Sequence, residues 1–417
     1  MGGGEQMMRF GTGVIPQKHA RTFVALIFAA MAVTFSQGLM IPWMASVETG
    51  HISPLMNSLS TSDTYAGLLV AMVFVGQLSR RIGLRRLLVW ALATGALSIC
   101  AFVVRDNVQW WLLFRFVFGL SLGVIHYGTQ SWIGYLTTPE NRGKQMALYG
   151  LATGIGFAVG PMFLATGKLA VWLPFILSAS TFAISLALVV RLPCVLGNSK
   201  SARSVRPIRV ARIYRAALPA LALPLVFGFM ESALNGDLPL YAEQVHLSLG
   251  VVSLSLALFV FGSLIFQLPL GYLGDRLGRR IVLIGCSTAG VVLFSLLPLV
   301  SESNVTFVAL CFLVGAFVDT LFSLSLGFLG DLVGPDNLPI VNQFAVTNLG
   351  LGLMVGPMVC GLMMTWLGPA GMFWAIAFLY LLYVGISLTW RPIATNYPYE
   401  SDQCVTLNDP HRQEEMR

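Results

Sequence analysis

The sequence predicts an all-α integral membrane protein of twelve transmembrane helices, arranged as two pseudo-symmetric six-helix halves. Three observations carry this. Of 417 residues, 56% are hydrophobic and only 10% charged, and the mean hydropathy is +0.78. A soluble domain has about 25% charged residues to cover its surface, so the soluble classes are excluded. Apolar stretches of about 20 residues, each long enough to cross ~30 Å of hydrocarbon as a helix, recur along nearly the whole chain. Finally, glycine- and arginine-bearing segments of the first half return in the second at a nearly constant offset.

In order, the apolar stretches cover roughly 22-46, 64-80, 85-104, 108-133, 144-166, 169-190, 216-241, 250-272, 280-300, 306-330, 339-365 and 370-390. The first is too long for a secretory signal and has no small-residue cleavage site after it, so it is expected to remain as the first span. One long polar interruption, Arg191 to Arg215, divides the spans six and six. This gives an N-terminal half over 1-190, a basic linker over 191-215, a C-terminal half over 216-391 and a polar tail over 392-417.

The basic residues set the orientation. With both termini inside, the inner segments collect Arg80, Arg81, Arg85 and Arg86, then Arg142 and Lys144, the whole linker cluster, and Arg276, Arg279 and Arg280; only Arg105 and Lys168 fall outside. That asymmetry satisfies the positive-inside rule and predicts a multi-pass protein of a plasma membrane, with a bacterial inner membrane expected and both termini cytoplasmic. It also accounts for the net charge of +7 without a nucleic-acid partner. One inner loop, near Asp331 and Asp336, has no basic residue. The six cysteines (Cys100, Cys194, Cys286, Cys311, Cys360, Cys404) show no C-x-x-C pair and no histidine at ligand spacing, so neither a metal nor a disulfide is expected.

The repeat is legible in two places. Pro139, Gly154, Gly156, Gly160 and Pro161 return as Pro335, Gly350, Gly352, Gly356 and Pro357, and the segment from Gly76 to Arg86 returns as that from Gly271 to Arg280, with Gly83 answering Gly278. Parallel six-helix repeats with a midplane site between them are a transporter architecture. The two loop segments resemble the G-x-x-x-D-R-x-G-R-R signature of the major facilitator superfamily, Arg115 to Gly119 resembles its R-x-x-x-G motif, and Gly156 to Pro161 resembles the G-x-x-x-G-P core of its antiporter motif. The resemblance covers about residues 20 to 391 and points toward bacterial proton-coupled exporter branches. It implies a conformational gate at Gly76, Gly83, Gly271, Asp275, Arg276, Gly278, Arg279 and Arg280, and helix packing at Gly156, Gly160, Pro161, Gly352, Gly356 and Pro357. The chain departs from the pattern with Arg80 where the first loop usually carries Asp, with Ala147 for the leading glycine of the antiporter motif, and with Leu164 and Ala165 at its close.

The loop residues also have a physical reading of their own. Glycines at Gly271 and Gly278 permit close helix approach and a tight turn, and the Asp275 carboxylate meets guanidinium groups and the positive end of the ninth span. The alternative is that these arginines only anchor the loop.

Ionisable groups within spans cost about 2.5–3.5 kcal/mol each on insertion scales, so each is a functional candidate. Arg115 lies about 10 Å into the fourth span at 1.5 Å per residue. His126 falls on nearly the same helix face, with Gly119 and Gln130 close to that stripe. Glu231 lies well inside the seventh span with Asn235 one turn on, and Asp319 about 20 Å into the tenth with Ser323 one turn on. A carboxyl in such a place can take up and release protons, as a proton-coupled carrier requires; a permanent ion pair with Arg115 is the competing reading. Glu231, Asp319 and Arg115 are therefore the expected coupling residues, with Arg115 tuning Glu231 across the cavity. His126, Gln130, Asn235 and Gln37 are the expected cavity wall. Asp237 is placed near the outer end of its span, within reach of interfacial water. Trp43, Trp132, Phe227 and Phe322 are aromatic candidates for a pocket lining.

These features predict a secondary carrier that moves a small organic solute by alternating access, most readily outward in exchange for protons. The alternatives are an uncoupled facilitator or importer of the same fold, and a transporter-fold sensor. No metalloprotease, nucleophile-elbow or phosphate-loop motif is present, so neither an enzyme nor a primary pump is expected. The expected partners are the solute, protons and membrane lipid, with no cofactor, and the protein is expected to act as a monomer.

Overall fold

The computed structural model describes residues 7–10, 13–48, 51–104, 107–136, 142–193, 213–333 and 338–390. The linker core at 194–212, the tail beyond 390, Arg105, and the repeated Pro139 and Pro335 segments lie outside the described residues. Among the described residues, twelve helices are long and apolar enough to cross a membrane. They are α1 (Gln17–Glu48), α2 (Pro54–Ile82), α3 (Leu84–Phe102), α4 (Val108–Leu136), α5 (Arg142–Val159), α6 (Leu173–Val190), α7 (Leu218–Gln244), α8 (Leu249–Leu277), α9 (Arg279–Leu296), α10 (Asn304–Leu332), α11 (Leu338–Leu367) and α12 (Gly371–Thr389). An antiparallel ribbon, β1 (Met7–Phe10) with β2 (Gly13–Pro16), precedes α1, which the apolar pattern does not predict. The chain is a multi-pass membrane protein. Large apolar residues such as Trp90, Leu97, Leu268 and Val305 remain exposed on the bundle, as a lipid-facing surface requires.

The largest departure from the apolar pattern is at α2. Hydropathy begins this span near residue 64, whereas the helix begins at Pro54, with Ser53 Oγ accepting from Met56 N as its cap and proline in the first turn. The added turns are polar, yet Asn57, Ser58, Ser60, Thr61, Ser62 and Thr64 are all buried. They face protein, and hydropathy registers only what suits lipid.

The repeated glycines explain which helices touch. A Cβ at Gly156 or Gly160 would collide with the Met31 or Phe35 carbonyl, which fixes α5 against α1; Gly352 and Gly356 stand likewise against the Leu225 and Phe229 carbonyls, which fixes α11 against α7. Each half therefore closes by the same device. Beyond Val159 the chain tightens into a 3-10 stretch, Gly160–Lys168, while α11 runs on through Pro357.

Among the described residues, close contacts between the two halves cluster toward one end. Gly236 of α7 lies against Thr61 of α2, Gly361 of α11 against Ser58, and Gly350 against Leu69; Ser253 of α8 donates to the Pro161 carbonyl. All of these contacts lie from mid-membrane toward the end where α1 finishes and α2 starts. At the other end a Cβ at Gly150, Gly271 or Gly330 would meet nothing within 4 Å. The interface between the halves is therefore looser toward the end that carries the basic inter-helix loops, while at the α1 end Trp43 and His51 of one half and Pro239 and Glu243 of the other line a cavity of about 450 Å³.

Candidate functional site

Glu231 of α7 and Asp319 of α10 are both partly exposed and close enough for their charges to interact. The local backbone sets them there. α7 carries internal prolines at Pro224 and Pro239, and α10 is interrupted by a π stretch, Gly315–Asp319, that ends on the acid itself. Such π turns are frequent at functional sites. Ser263 of α8 hydrogen-bonds Asp319, and Gln267 donates to Ser323 Oγ at 3.2 Å. Phe227 and Phe322 stack with centroids 5.2 Å apart, one turn from Glu231 and Asp319 respectively. Among the described residues neither acid has an ion-pair partner.

Opposite them, His126 Nε2 and Gln37 Oε1 share a hydrogen bond of 3.1 Å, which joins two of the expected wall residues across α4 and α1. Gln130 is exposed one turn further toward the open end. Asn235 is not a free wall group: it is buried, and its Nδ2 folds back onto the Glu231 carbonyl at 2.8 Å, so the shared helix face serves α7 rather than a solute. Trp132 is packed in the core and Phe227 nearly so, while Trp43 borders a cavity at the α1 end with His51, Pro239 and Glu243.

Arg115 corrects the expectation most sharply. Its Nε donates to Glu48 Oε1 at 2.9 Å with both side chains fully buried, and its Nη1 donates to Thr61 Oγ1 at 3.2 Å. Ser60 Oγ donates to the same Glu48 oxygen at 3.0 Å. The guanidinium is thus committed on the closed side and cannot serve as the counter-charge of Glu231. Glu48 escapes a reading of the sequence because it follows the last apolar residues of α1, and its partners lie in the polar turns that hydropathy leaves out of α2.

Asp237 is also corrected. It is fully buried, and Ser58 Oγ donates to its Oδ1 at 2.6 Å across the two halves. Counted along the helices at 1.5 Å per residue, the buried cluster of Ile41, Tyr65 and Leu353 falls between this network and the acids, where it can act as a plug. The stacking order from the closed end is therefore Glu48–Arg115 with Ser58–Asp237, then the plug, then Glu231 and Asp319. Because Gly236 has no room for a side chain beside Thr61, Gly236→Val should hold this side apart. A cysteine at Ser58 should then react severalfold faster with an impermeant thiol reagent; unchanged labelling would show that α2 and α7 do not form the seal.

At the loop ends, Gly83 and Gly278 have φ of 82° and 91° and turn α2 into α3 and α8 into α9. Gly271 meets nothing and Gly76 only the Tyr127 ring hydroxyl at 3.5 Å, so close approach is not their role in this conformation. Arg279 bridges Asp275 at 2.9 Å, Asp331 at 3.0 Å and the Gly327 carbonyl at 2.7 Å, tying α8, α9 and α10 together. Asp331 is the acid of the one inner loop without a base. Arg276 stacks on Tyr272 within its own helix, and Arg280 donates to the Ser387 and Trp390 carbonyls. Among the described residues, the N-terminal half repeats only the last contact, Arg85 to the Val190 carbonyl. Leu84 and Arg80 occupy the places of Arg279 and Asp275, so both members of the ion pair are missing there. Asp275→Asn should slow transport severalfold at unchanged protein level, since these groups are solvent-exposed and contribute little to stability. Unchanged transport would leave the arginines as loop anchors.

The sequence model of the Major Facilitator Superfamily matches residues 23–241 and again 220–401. The MFS-type transporter YfkF of Bacillus subtilis (strain 168) is 30% identical over 381 residues, covering 90% of this chain and 95% of its own. The fold is that of the nucleoside transporter NupG (TM-score 0.68, 12% identity, 88% of this chain and 99% of that one). It is shared by a bacterial homologue of the human lysosomal transporter Spinster (TM-score 0.69, 12% identity, 90% and 99%).

Proposed function

The chain belongs to the major facilitator superfamily, and on that premise we propose that it is a proton-coupled exporter of a small organic solute. It works as a monomer by alternating access in a bacterial plasma membrane, with both termini and the linker in the cytoplasm. Secondary transport comes with the family and its fold; the coupling rests on one observation. Glu231 and Asp319, inside their spans and only partly exposed, have no basic partner among the described residues. A carboxyl there must be neutral, hydrated or paired. A cavity that opens alternately to the two sides lets it change among these states and so carry a proton in one direction as solute goes in the other.

The test is efflux from proteoliposomes with an imposed pH gradient, run over a panel of organic solutes. Accumulation against a solute gradient that collapses with the pH gradient supports the reading. Movement indifferent to the gradient would leave an uncoupled facilitator or importer, and no movement by folded protein would favour a sensor. For orientation, a cysteine at Ser204 should resist an impermeant reagent in intact cells and react after permeabilisation; labelling before it would invert the topology.

A further inference from the structure

We infer that the C-terminal half carries a lipid site, in which one acyl chain of a zwitterionic phospholipid lies between α8 and α10 in the leaflet at the α1 end. The inference requires only that the chain spans a membrane, not that it couples transport to protons. The two helices run in the same direction and start at the same end, capped by Ser248 and Ser303. Deeper in the membrane they touch backbone to backbone: a Cβ at Gly262 would collide with the Phe312 carbonyl, and one at Gly315 with the Phe259 carbonyl. Between that contact and the helix starts the two part, and the gap is a groove of about 700 Å³. The π stretch of α10 begins at Gly315, just below the groove, so a chain lying there braces α10 ahead of Asp319.

Depth, lining and charge identify the occupant. One wall is Val251, Leu254 and Leu258 of α8 and the other is Val305, Ala309 and Leu313 of α10, each set spaced to share a helix face. Leu254, Val305 and Leu313 are exposed, so the groove opens sideways to lipid. Among the described residues its polar lining is Ser248 and Asn304, both at the helix starts. From Ser248 to Leu258 the helix rises about 15 Å, half of a ~30 Å hydrocarbon core, so the groove is one leaflet deep with its polar mouth at headgroup level. Phe312, whose ring lies 6.3 Å from that of Phe266, closes the bottom. Lipid tails are as apolar as leucine, so the preference for a chain here comes from the dispersion contacts of filling a concave gap. The head is selected by charge. The three loops of this half at the α1 end contain no Lys or Arg, and Glu243 and Glu302 are exposed there. An anionic head would be repelled by these carboxylates, whereas a zwitterionic one brings an ammonium to them.

The experiment uses the purified full-length chain in phosphatidylcholine nanodiscs that contain a small share of phosphatidylcholine with a diazirine at mid-chain. After irradiation, adducts are mapped by peptide mass spectrometry on wild type and on Ala309→Trp, which fills the groove. Adducts on residues 251–258 and 305–313 are expected to fall about ten-fold in the variant, the ratio that roughly 1.4 kcal/mol of preference gives. Those on the exposed Leu97 and Leu268 are expected to stay the same. Phosphatidylglycerol with the same diazirine should label the groove severalfold less than phosphatidylcholine does. Leu254→Trp, at an exposed position of the facing wall, keeps the test decisive should Ala309→Trp not remain monodisperse. Undiminished groove labelling in a monodisperse variant would show ordinary bilayer lipid passing over the surface, and equal labelling by phosphatidylglycerol would remove the charge selection; either overturns the inference. So would a groove that stays unlabelled in wild type while the chain runs as a dimer, because the face would then belong to a second copy.

Discussion

Glu231→Gln is expected to reduce pH-gradient-driven net transport to the level of protein-free vesicles, while exchange of solute across the membrane without a gradient persists. Glutamine keeps the length, volume and hydrogen-bonding capacity of the side chain and removes only its titration. The surroundings favour survival of the fold, because Glu231 makes no ion pair among the described residues and Asn235 contacts its backbone carbonyl, not its carboxyl. On the proposed antiport, with the outside more acidic, protons would load the acid when the plug side opens and leave when the basic-loop side opens, and solute would move outward in return. In inside-out vesicles this means that an acidic lumen drives uptake. If Glu231→Gln keeps the wild-type pH dependence and Asp319→Asn abolishes it, the proton site belongs to α10. Should both single variants keep it, the coupling reading fails.

The number and order of the spans were legible because each α-helix must fill a hydrocarbon thickness with apolar residues, and the halves because glycines recur where backbones touch. What hydropathy could not register was polarity buried against protein. The polar turns at the start of α2 read as a loop, although Ser53 followed by Pro54 is a helix-start signal that stands in the sequence. Reading that signal would have brought Ser58, Ser60 and Thr61 into a span and raised the question of their partners. Glu48 and Asp237 share this difficulty. Each sits near a helix end, where interfacial water was the natural assumption, and only the packing of α2 across α1, α4 and α7 removes that water. The acids deep in α7 and α10 were visible because their cost is independent of neighbours. Asp319 closes a π stretch, Gly315–Asp319, a backbone irregularity that the side-chain pattern there does not announce.

Arg115→Met is expected to cost about 3–5 kcal/mol of stability, the usual penalty for leaving one member of a buried ion pair without the other. Glu48 is fully buried, so loss of the guanidinium leaves Ser60 as the only remaining donor to its carboxyl among the described hydrogen bonds. The pair is also incompletely satisfied as it stands, because Arg115 Nη2 and Glu48 Oε2 are buried without hydrogen-bond partners. Networks of that kind are weak stabilisers relative to an apolar replacement of similar volume. The double variant Glu48→Leu with Arg115→Met should therefore recover most of the loss, read as the melting temperature and the monodisperse yield of purified protein. The Phe102 ring, 6.0 Å from the guanidinium carbon, supplies apolar surface for the new side chain. Transport by the double variant then separates two roles. If Arg115 acts at the closed side, the rate changes while the pH dependence stays that of wild type, since the plug stands between this pair and Glu231. If the pH dependence shifts with the rescue of folding, Arg115 tunes the acids after all, and the separation of gate from proton site is wrong.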